Sequence, residues 1–485
     1  MSIERKAISA LKWATASKLV IQVASWAGTL VVVRLLTPQD YGLMAKVAVV
    51  CGIVGTIAEL GLEAAIVRTV DLLRDDVRKV FGVSLVFALA GTGLVIGSAP
   101  LLARLLHEPR LEGPIAAASL QIVIAAIGLV PSALAVRDLS FRSLAKIDMA
   151  AGLTGVVATL LLAWEGAGVW ALVAGNLLVS SVRSTALLAS GPRVWPSFSP
   201  RGIGEHLKFG LTLMGNRLSY FVVVQSDVLI GSAFLSTTEI GRYAVALQLA
   251  TLPMTKVMGT INQIALPAVA RQQQEPERVR QTVLKSVGLI SLLAFPVLWG
   301  ISALAPELVR VLLGSNWLEA VPALTILPLI VPLRMALGVL FTASLAMGNR
   351  QIDLLSTTAN FVLLPGGFYV GAHWGLLGLC SAWLVSVPLA YAVSLPLVLR
   401  AMGIRARELV IEFAAPAMAA GGMYAAIATL RPAVAALPAL VALVALSAVG
   451  GLLYLALMGL FSRRHLAIAR NFGRSLLARD APTLV

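Results

Sequence analysis

Apolar runs of about 20 residues, following one another with only short basic or turn-forming segments between them, constrain this chain more than any motif it carries. Fourteen of them lie near residues 10–33, 42–66, 79–99, 113–136, 147–164, 167–190, 209–233, 243–268, 281–303, 318–345, 353–371, 375–399, 409–430 and 434–460. A run of that length crosses the hydrocarbon of a bilayer as a helix. In hydrocarbon each backbone N–H and C=O must find its partner within the protein, which leaves helices and closed barrels as the spanning structures. Composition decides between the two. The chain is 59% hydrophobic, 13% charged and 6% aromatic, and its apolar mass is Leu, Ala, Val, Ile and Gly, which suits helices packed through small residues rather than the alternation of a barrel. The predicted fold class is therefore an all-α integral membrane protein of about 14 transmembrane helices.

A net charge of +15 would suit nucleic acid, but the lysines and arginines are dispersed between apolar runs and no nucleic-acid partner is expected. With the N-terminus inside, most of them collect on the cytoplasmic side, from Arg5 and Lys6 through Arg137, Arg142 and Arg193 to Arg463 and Arg464. The positive-inside rule then places both termini in the cytoplasm. The first run carries Lys12, Lys18 and Gln22 and lacks a small-residue cleavage site, so it is expected to remain as the first span. Trp164, Trp170, Trp317 and Trp374 fall at outer ends and read as an aromatic belt. Cys51 and Cys380 lie inside apolar runs and read as packed thiols.

Two polar turns punctuate the chain at corresponding places, Thr37-Pro38-Gln39-Asp40-Tyr41-Gly42 and Ser236-Thr237-Thr238-Glu239-Ile240-Gly241. Each follows by about 30 residues a similar entry into a span, Leu11-Lys12-Trp13 and Leu207-Lys208-Phe209. An even number of spans separates the copies, so the expected arrangement is two parallel six-helix repeats followed by two extra C-terminal helices. The expected division is an N-terminal lobe over 1–190, a Pro-punctuated cytoplasmic linker over 191–207, a second lobe over 208–400, two additional helices over 401–461 and a basic amphipathic tail over 462–485. That tail should lie on anionic inner-leaflet lipids.

Walker A, His-Glu-x-x-His and paired-cysteine patterns are absent, the four histidines are scattered, and the longest connections are around a dozen residues. The expectation is a non-enzyme with no catalytic residues, no metal and no cofactor. What carries chemistry instead is polarity inside the spans, where a charge costs at least about 2.5 to 3.5 kcal/mol on insertion scales and should face a cavity or a partner. Lys18 and Gln22 share a face of the first span; Asn216, Tyr220 and Asp227 share a face of the seventh, with Arg217 beside them; Lys256 and Gln263 share a face of the eighth; Arg334 sits near the middle of the tenth. The expected site is a cationic cavity with Arg217, Lys256, Arg334 and Lys18 as substrate-binding groups, and with Gln22, Asn216, Tyr220, Asp227, Gln263 and Glu59 as cavity-lining or coupling groups. Blander readings stand beside it. Lys18 can snorkel to the inner interface, Arg217 and Asp227 can belong to a structural network, and Glu59 and Glu63 can pair with basic loop residues.

The run Arg34-Leu35-Leu36-Thr37-Pro38-Gln39-Asp40-Tyr41-Gly42-Leu43-Met44, followed by Glu59-Leu60-Gly61-Leu62 and Ala65-Ile66-Val67-Arg68, resembles the N-terminal signature of bacterial polysaccharide-export (Wzx-like) flippases. These belong to the multidrug/oligosaccharidyl-lipid/polysaccharide flippase superfamily. Glu59 stands where relatives more often carry Asp, and Glu63 where a small residue is more usual. The resemblance implies two six-helix lobes forming a V around a central cavity. It also implies transfer of an undecaprenyl-pyrophosphate-linked oligosaccharide from the inner to the outer leaflet of the bacterial cytoplasmic membrane, with a lipid-linked oligosaccharide as substrate and polysaccharide polymerase and chain-length proteins as partners. Two alternatives remain open: a multidrug or metabolite antiporter of the same superfamily, which would want interior carboxylates, and a non-transporting membrane component of a glycan assembly complex.

Overall fold

A computed structural model describes residues 28–69, 73–199, 202–252, 275–462 and 464–465. Among these residues the regular structure is helical throughout. In chain order the helices are α1 (28–35), α2 (Pro38–Glu59), α3 (Leu62–Arg68), α4 (Arg74–Leu105), α5 (Glu112–Arg137), α6 (Phe141–Trp164), α7 (Val169–Ser190), α8 (Gly204–Phe234) and α9 (237–252), then α10 (Pro276–Ala303), the short α11 (Ala305–Leu308), α12 (Val321–Ala346), α13 (Arg350–Ala372), α14 (Gly375–Ala401), α15 (Ala406–Val434) and α16 (Ala439–Phe461). Ten helical segments among the described residues are long and apolar enough to cross a membrane. Helices α8 and α13 coincide with two further expected spans but are more polar, α8 through Arg217 and Asp227 and α13 through Asp353 and Asn360. The expected first and eighth spans fall largely on residues 1–27 and 253–274, outside the described residues.

The chain divides into two compact units, Met1–Gly241 and Arg242–Val485. In the first, α2, α4, α5 and α7 enclose a core that includes Val47, Ala88, Ile115 and Val173. Helix α6 packs along α7, and Val32 and Leu36 pack with Ala163 and Ala171. Helix α8, assigned by the sequence to the start of the second lobe, packs here on α2 and α3. In the second unit α10 packs on α12 and on α15, α13 on α14 and α15 on α16, with Phe295, Met423 and Tyr454 in the shared apolar core.

The apolar run expected as one span over 42–66 is interrupted. Leu60 and Gly61 both adopt left-handed backbone, with φ of 49° and 61°, which ends α2 and lets α3 leave in a new direction. A side chain on Gly61 would press on the carbonyl of Gly210 in α8, so the close approach of α8 to this break requires the missing Cβ.

The two polar turns have the same local chemistry. Thr37 donates from its N–H (2.9 Å) and its hydroxyl (2.7 Å) to Asp40 Oδ2, and the Asp40 N–H donates back to Thr37 Oγ1 at 3.3 Å. Ser236 and Glu239 repeat this with N–H and hydroxyl donations of 2.9 and 2.7 Å and a return bond of 3.3 Å. Each is a capping box that satisfies the first orphan donors of a helix and brings a carboxylate to its positive end. The turns also meet: a Cβ on Gly42 would overlap the carbonyl of Thr237, and a Cβ on Gly241 would overlap the carbonyl of Pro38. Beside them Lys46, buried to 4% exposure, donates to Thr237 Oγ1 at 3.1 Å, and that hydroxyl donates to Glu108 Oε2 at 2.9 Å. Lys46 is thus desolvated and hydrogen-bonded.

This reciprocal fit predicts that Gly42→Ala and Gly241→Ala each destabilise the protein by about 1–3 kcal/mol, the usual range for inserting a methyl group into a closed contact. Thermal unfolding in detergent, followed by size-exclusion chromatography, measures it; two variants that melt like the parent would disprove the fit.

Candidate functional site

Within the first unit a cavity of about 370 Å³ opens among helices α2, α4, α5, α7 and α8, and its polar lining is Thr56, Glu59, Gln121 and Asn176. Glu59 is the last residue of α2, immediately before the left-handed turn at Leu60. Arg217 of α8 approaches it, Nη1 to Oε2 at 3.6 Å, with the two side chains 45% and 50% exposed. A pair that open contributes about 0–1 kcal/mol. It nonetheless sets the local charge. Two sequence expectations change here. Glu59 pairs with a helical arginine rather than with a basic loop residue, and Arg217 finds its carboxylate on α2 rather than at Asp227.

Asp227 is fully buried and its Oδ1 accepts the N–H of Val228 at 2.7 Å, while Asn216 and Tyr220 are exposed along α8. The shared helical face inferred from spacing therefore passes from open surface into the packing face along its length. Glu63 accepts a hydrogen bond from Ser132 of α5 at 3.4 Å. Asp148 pairs with Arg183 at 2.8 Å.

The second unit holds Arg334, thirteen residues from the start of the 26-residue α12, which at 1.5 Å per residue is about 20 Å from either end. Pro328 and Pro332 precede it and cannot donate to the preceding helical turn. Its guanidinium lies 4.5 Å from the centre of the Trp383 ring on α14, a cation–π contact. It makes no ion pair with any described residue. Trp383 donates its indole N–H to the Tyr243 hydroxyl at 2.7 Å and packs against Phe368 of α13 with ring centres 4.9 Å apart. Lys18, Gln22, Lys256 and Gln263 lie outside the described residues.

Sequence reasoning left Trp383, Tyr243 and Gln121 unassigned. A tryptophan eight residues inside a 27-residue span was the available signal, because belt tryptophans sit at helix ends. The belt itself needs one correction: Trp164, Trp170 and Trp374 are exposed, but Trp317 is fully buried in the core. Also unforeseen is a charged cluster where α10 and α15 begin. Arg280 bridges Glu277 at 2.9 Å and Glu408 at 2.7 Å, and the buried Glu412 takes Arg464 at 3.1 Å and His465 at 2.9 Å.

The profile of a family described as "Polysaccharide biosynthesis protein" matches residues 31–322, which contain both capped turns, the Glu59 cavity and α8. The chain belongs to that family. Among curated relatives it is similar to the lipopolysaccharide biosynthesis protein WzxC of Escherichia coli strain K12, 23% identical over 82% of this chain and 83% of the relative. It is also similar to the succinoglycan biosynthesis transport protein ExoT of Rhizobium meliloti strain 1021, 30% identical over 62% of this chain and 61% of that one. Among solved structures it shares a fold with the lipid II flippase MurJ in an inward closed conformation, with a TM-score of 0.70, 12% identity, and coverage of 92% of this chain and 99% of that one. With ten helical segments among the described residues long and apolar enough to span a bilayer, it is a multi-pass membrane protein of that polysaccharide biosynthesis family.

Because Glu59 and Arg217 are half exposed, a double-mutant cycle with Glu59→Gln and Arg217→Ala should return a stability coupling of no more than about 1 kcal/mol. Chemical denaturation of the purified variants reads it. A coupling several times larger would make the pair a structural element rather than part of a transport surface.

Proposed function

We propose that the protein carries an undecaprenyl-pyrophosphate-linked oligosaccharide from the cytoplasmic to the periplasmic leaflet of the bacterial inner membrane for exopolysaccharide or lipopolysaccharide assembly. The observation that carries this reading is the mid-helix guanidinium of Arg334, stacked on Trp383 and without a carboxylate partner among the described residues. A mid-helix cation in that state takes an anionic ligand as its counter-charge, and a guanidinium fork matches phosphate or carboxylate oxygens two at a time. Arg217 and, from the sequence, Lys256 and Lys18 add to the cationic path. Each lowers the cost of moving a hydrated pyrophosphate through hydrocarbon, while the polyprenyl tail stays in lipid.

In this reading the repeats 1–190 and 208–400 are the moving parts, and alternating access follows from rocking one against the other around a site near the midplane. The matched capping boxes at Thr37 and Ser236 support treating the halves as repeats. Both termini face the cytoplasm, where the basic tail meets anionic lipid, and polymerase and chain-length proteins take up the glycan after its transfer to the periplasmic side. Outward movement of an anionic headgroup from a negative interior is favoured by about 2.3 kcal/mol per charge per 100 mV.

Replacing Arg217, Lys256 and Arg334 by alanine, singly and together, should reduce glycan export in a deletion strain by tenfold or more for the triple variant, about 1.4 kcal/mol or more of lost stabilisation, with normal amounts of folded protein in the membrane. Full export by the triple variant would sink the cationic-cavity reading.

A further inference from the structure

Four helices of the second unit converge on one indole. Trp383 is 3% exposed and Tyr243 is fully buried. The ring of Trp383 meets Phe368 on α13 and Arg334 on α12, and its N–H is tied to Tyr243 on α9. Both side chains are rigid relative to an arginine. Tryptophan and tyrosine each have two side-chain torsions, and here each polar atom meets the other, so the hydrogen bond between them leaves little freedom. Arginine by contrast carries large rotamer entropy, much of which a ligand would have to remove on binding.

We propose that Trp383, held by Tyr243, is a positioning residue that fixes the Arg334 guanidinium flat against the indole and turns its N–H edge toward one oxyanion of the transported headgroup. The inference rests on the proposed function only in taking Arg334 as a substrate contact. It adds which residues make that contact specific and what chemistry they select. The guanidinium lies over the indole, which leaves its N–H donors to meet a ligand, and their fork geometry fits a phosphate or a carboxylate. The indole also provides the attraction to a cation that a carboxylate supplies elsewhere in the chain. A carboxylate would neutralise Arg334 and compete with the ligand, whereas the π face holds the cation in place and leaves its charge unspent. A lysine at 334 would keep the charge but lose both the flat stack and the fork.

Binding of inorganic pyrophosphate to the purified full-length protein, measured by titration calorimetry, tests this, with glucuronate as the competing probe. Arg334→Ala should weaken pyrophosphate at least tenfold and Arg334→Lys nearly as much. Trp383→Leu should weaken it about tenfold, while Trp383→Phe, which keeps a ring face, recovers part of the loss. Tyr243→Phe, the mildest change, should weaken it about threefold. The deciding arm is the double variant Trp383→Leu with Arg334→Ala. If Trp383 acts through Arg334, this variant binds no worse than Arg334→Ala alone; if the two losses multiply, Trp383 has a separate structural role and the proposal falls. Pyrophosphate binding that glucuronate does not displace assigns the oxyanion to the diphosphate, and displacement by glucuronate assigns it to an acidic sugar; no measurable binding of either overturns the oxyanion site. Parent-like binding by Arg334→Ala would overturn the use of Arg334 as a substrate contact itself. Parent-like binding by Trp383→Leu and Tyr243→Phe, with Arg334→Ala impaired, would leave that contact standing and remove only the positioning role.

Discussion

Inside a bilayer no water completes a hydrogen bond or shields a charge, so every polar group carried into the spans must be answered by another part of the protein. Many of the polar groups in this chain are answered, in several ways. Threonines such as Thr56 and Thr159 return their hydroxyls to the carbonyls four residues back. Lys46 is answered by a relay through Thr237 to Glu108. Arg137 donates to the carbonyls that end α3, and Arg431 divides its guanidinium between Glu307 and the Ala303 carbonyl. Against this background Arg334 differs. Its partner among the described residues is a π face, which holds a cation without cancelling it.

The same absence of water removes the hydrophobic force between helices in hydrocarbon and leaves close packing to hold them. Glycine is where this fold obtains its closest approaches. Gly42 and Gly241 let two capped turns meet backbone to backbone, and Gly61 with Gly210 lets α8 close on the break between α2 and α3. That break matters for chemistry as well as packing. It places Glu59 at a helix end beside the 370 Å³ cavity and within 3.6 Å of Arg217.

Apolar helix faces and glycine contacts hold each unit together. Two cations, Arg217 on α8 and Arg334 on α12, are weakly answered: the Glu59–Arg217 contact is half exposed, and Arg334 lies over the Trp383 ring. The structural cations at Arg431 and Arg464 are fixed by carboxylates that are themselves buried or nearly so.

Fold class followed from the sequence alone, because run length against bilayer thickness is a local property and hydrocarbon permits few answers. Helix ends at the two capping boxes were legible for the same reason: a serine or threonine three residues before a carboxylate is a local signal. The family could be recognised from residues 34–68, and the cations worth attention from their presence inside apolar runs. Partnership was not legible. That Asp227 turns into a packing face, that Arg217 meets Glu59 and not Asp227, that Trp317 belongs to the core, and that Trp383 joins Tyr243 to Arg334 all depend on which helices lie side by side. Spacing along one helix fixes the face a residue shares, but only the packing of several helices decides what that face meets, and in hydrocarbon the neighbour determines whether a charge is structural or available.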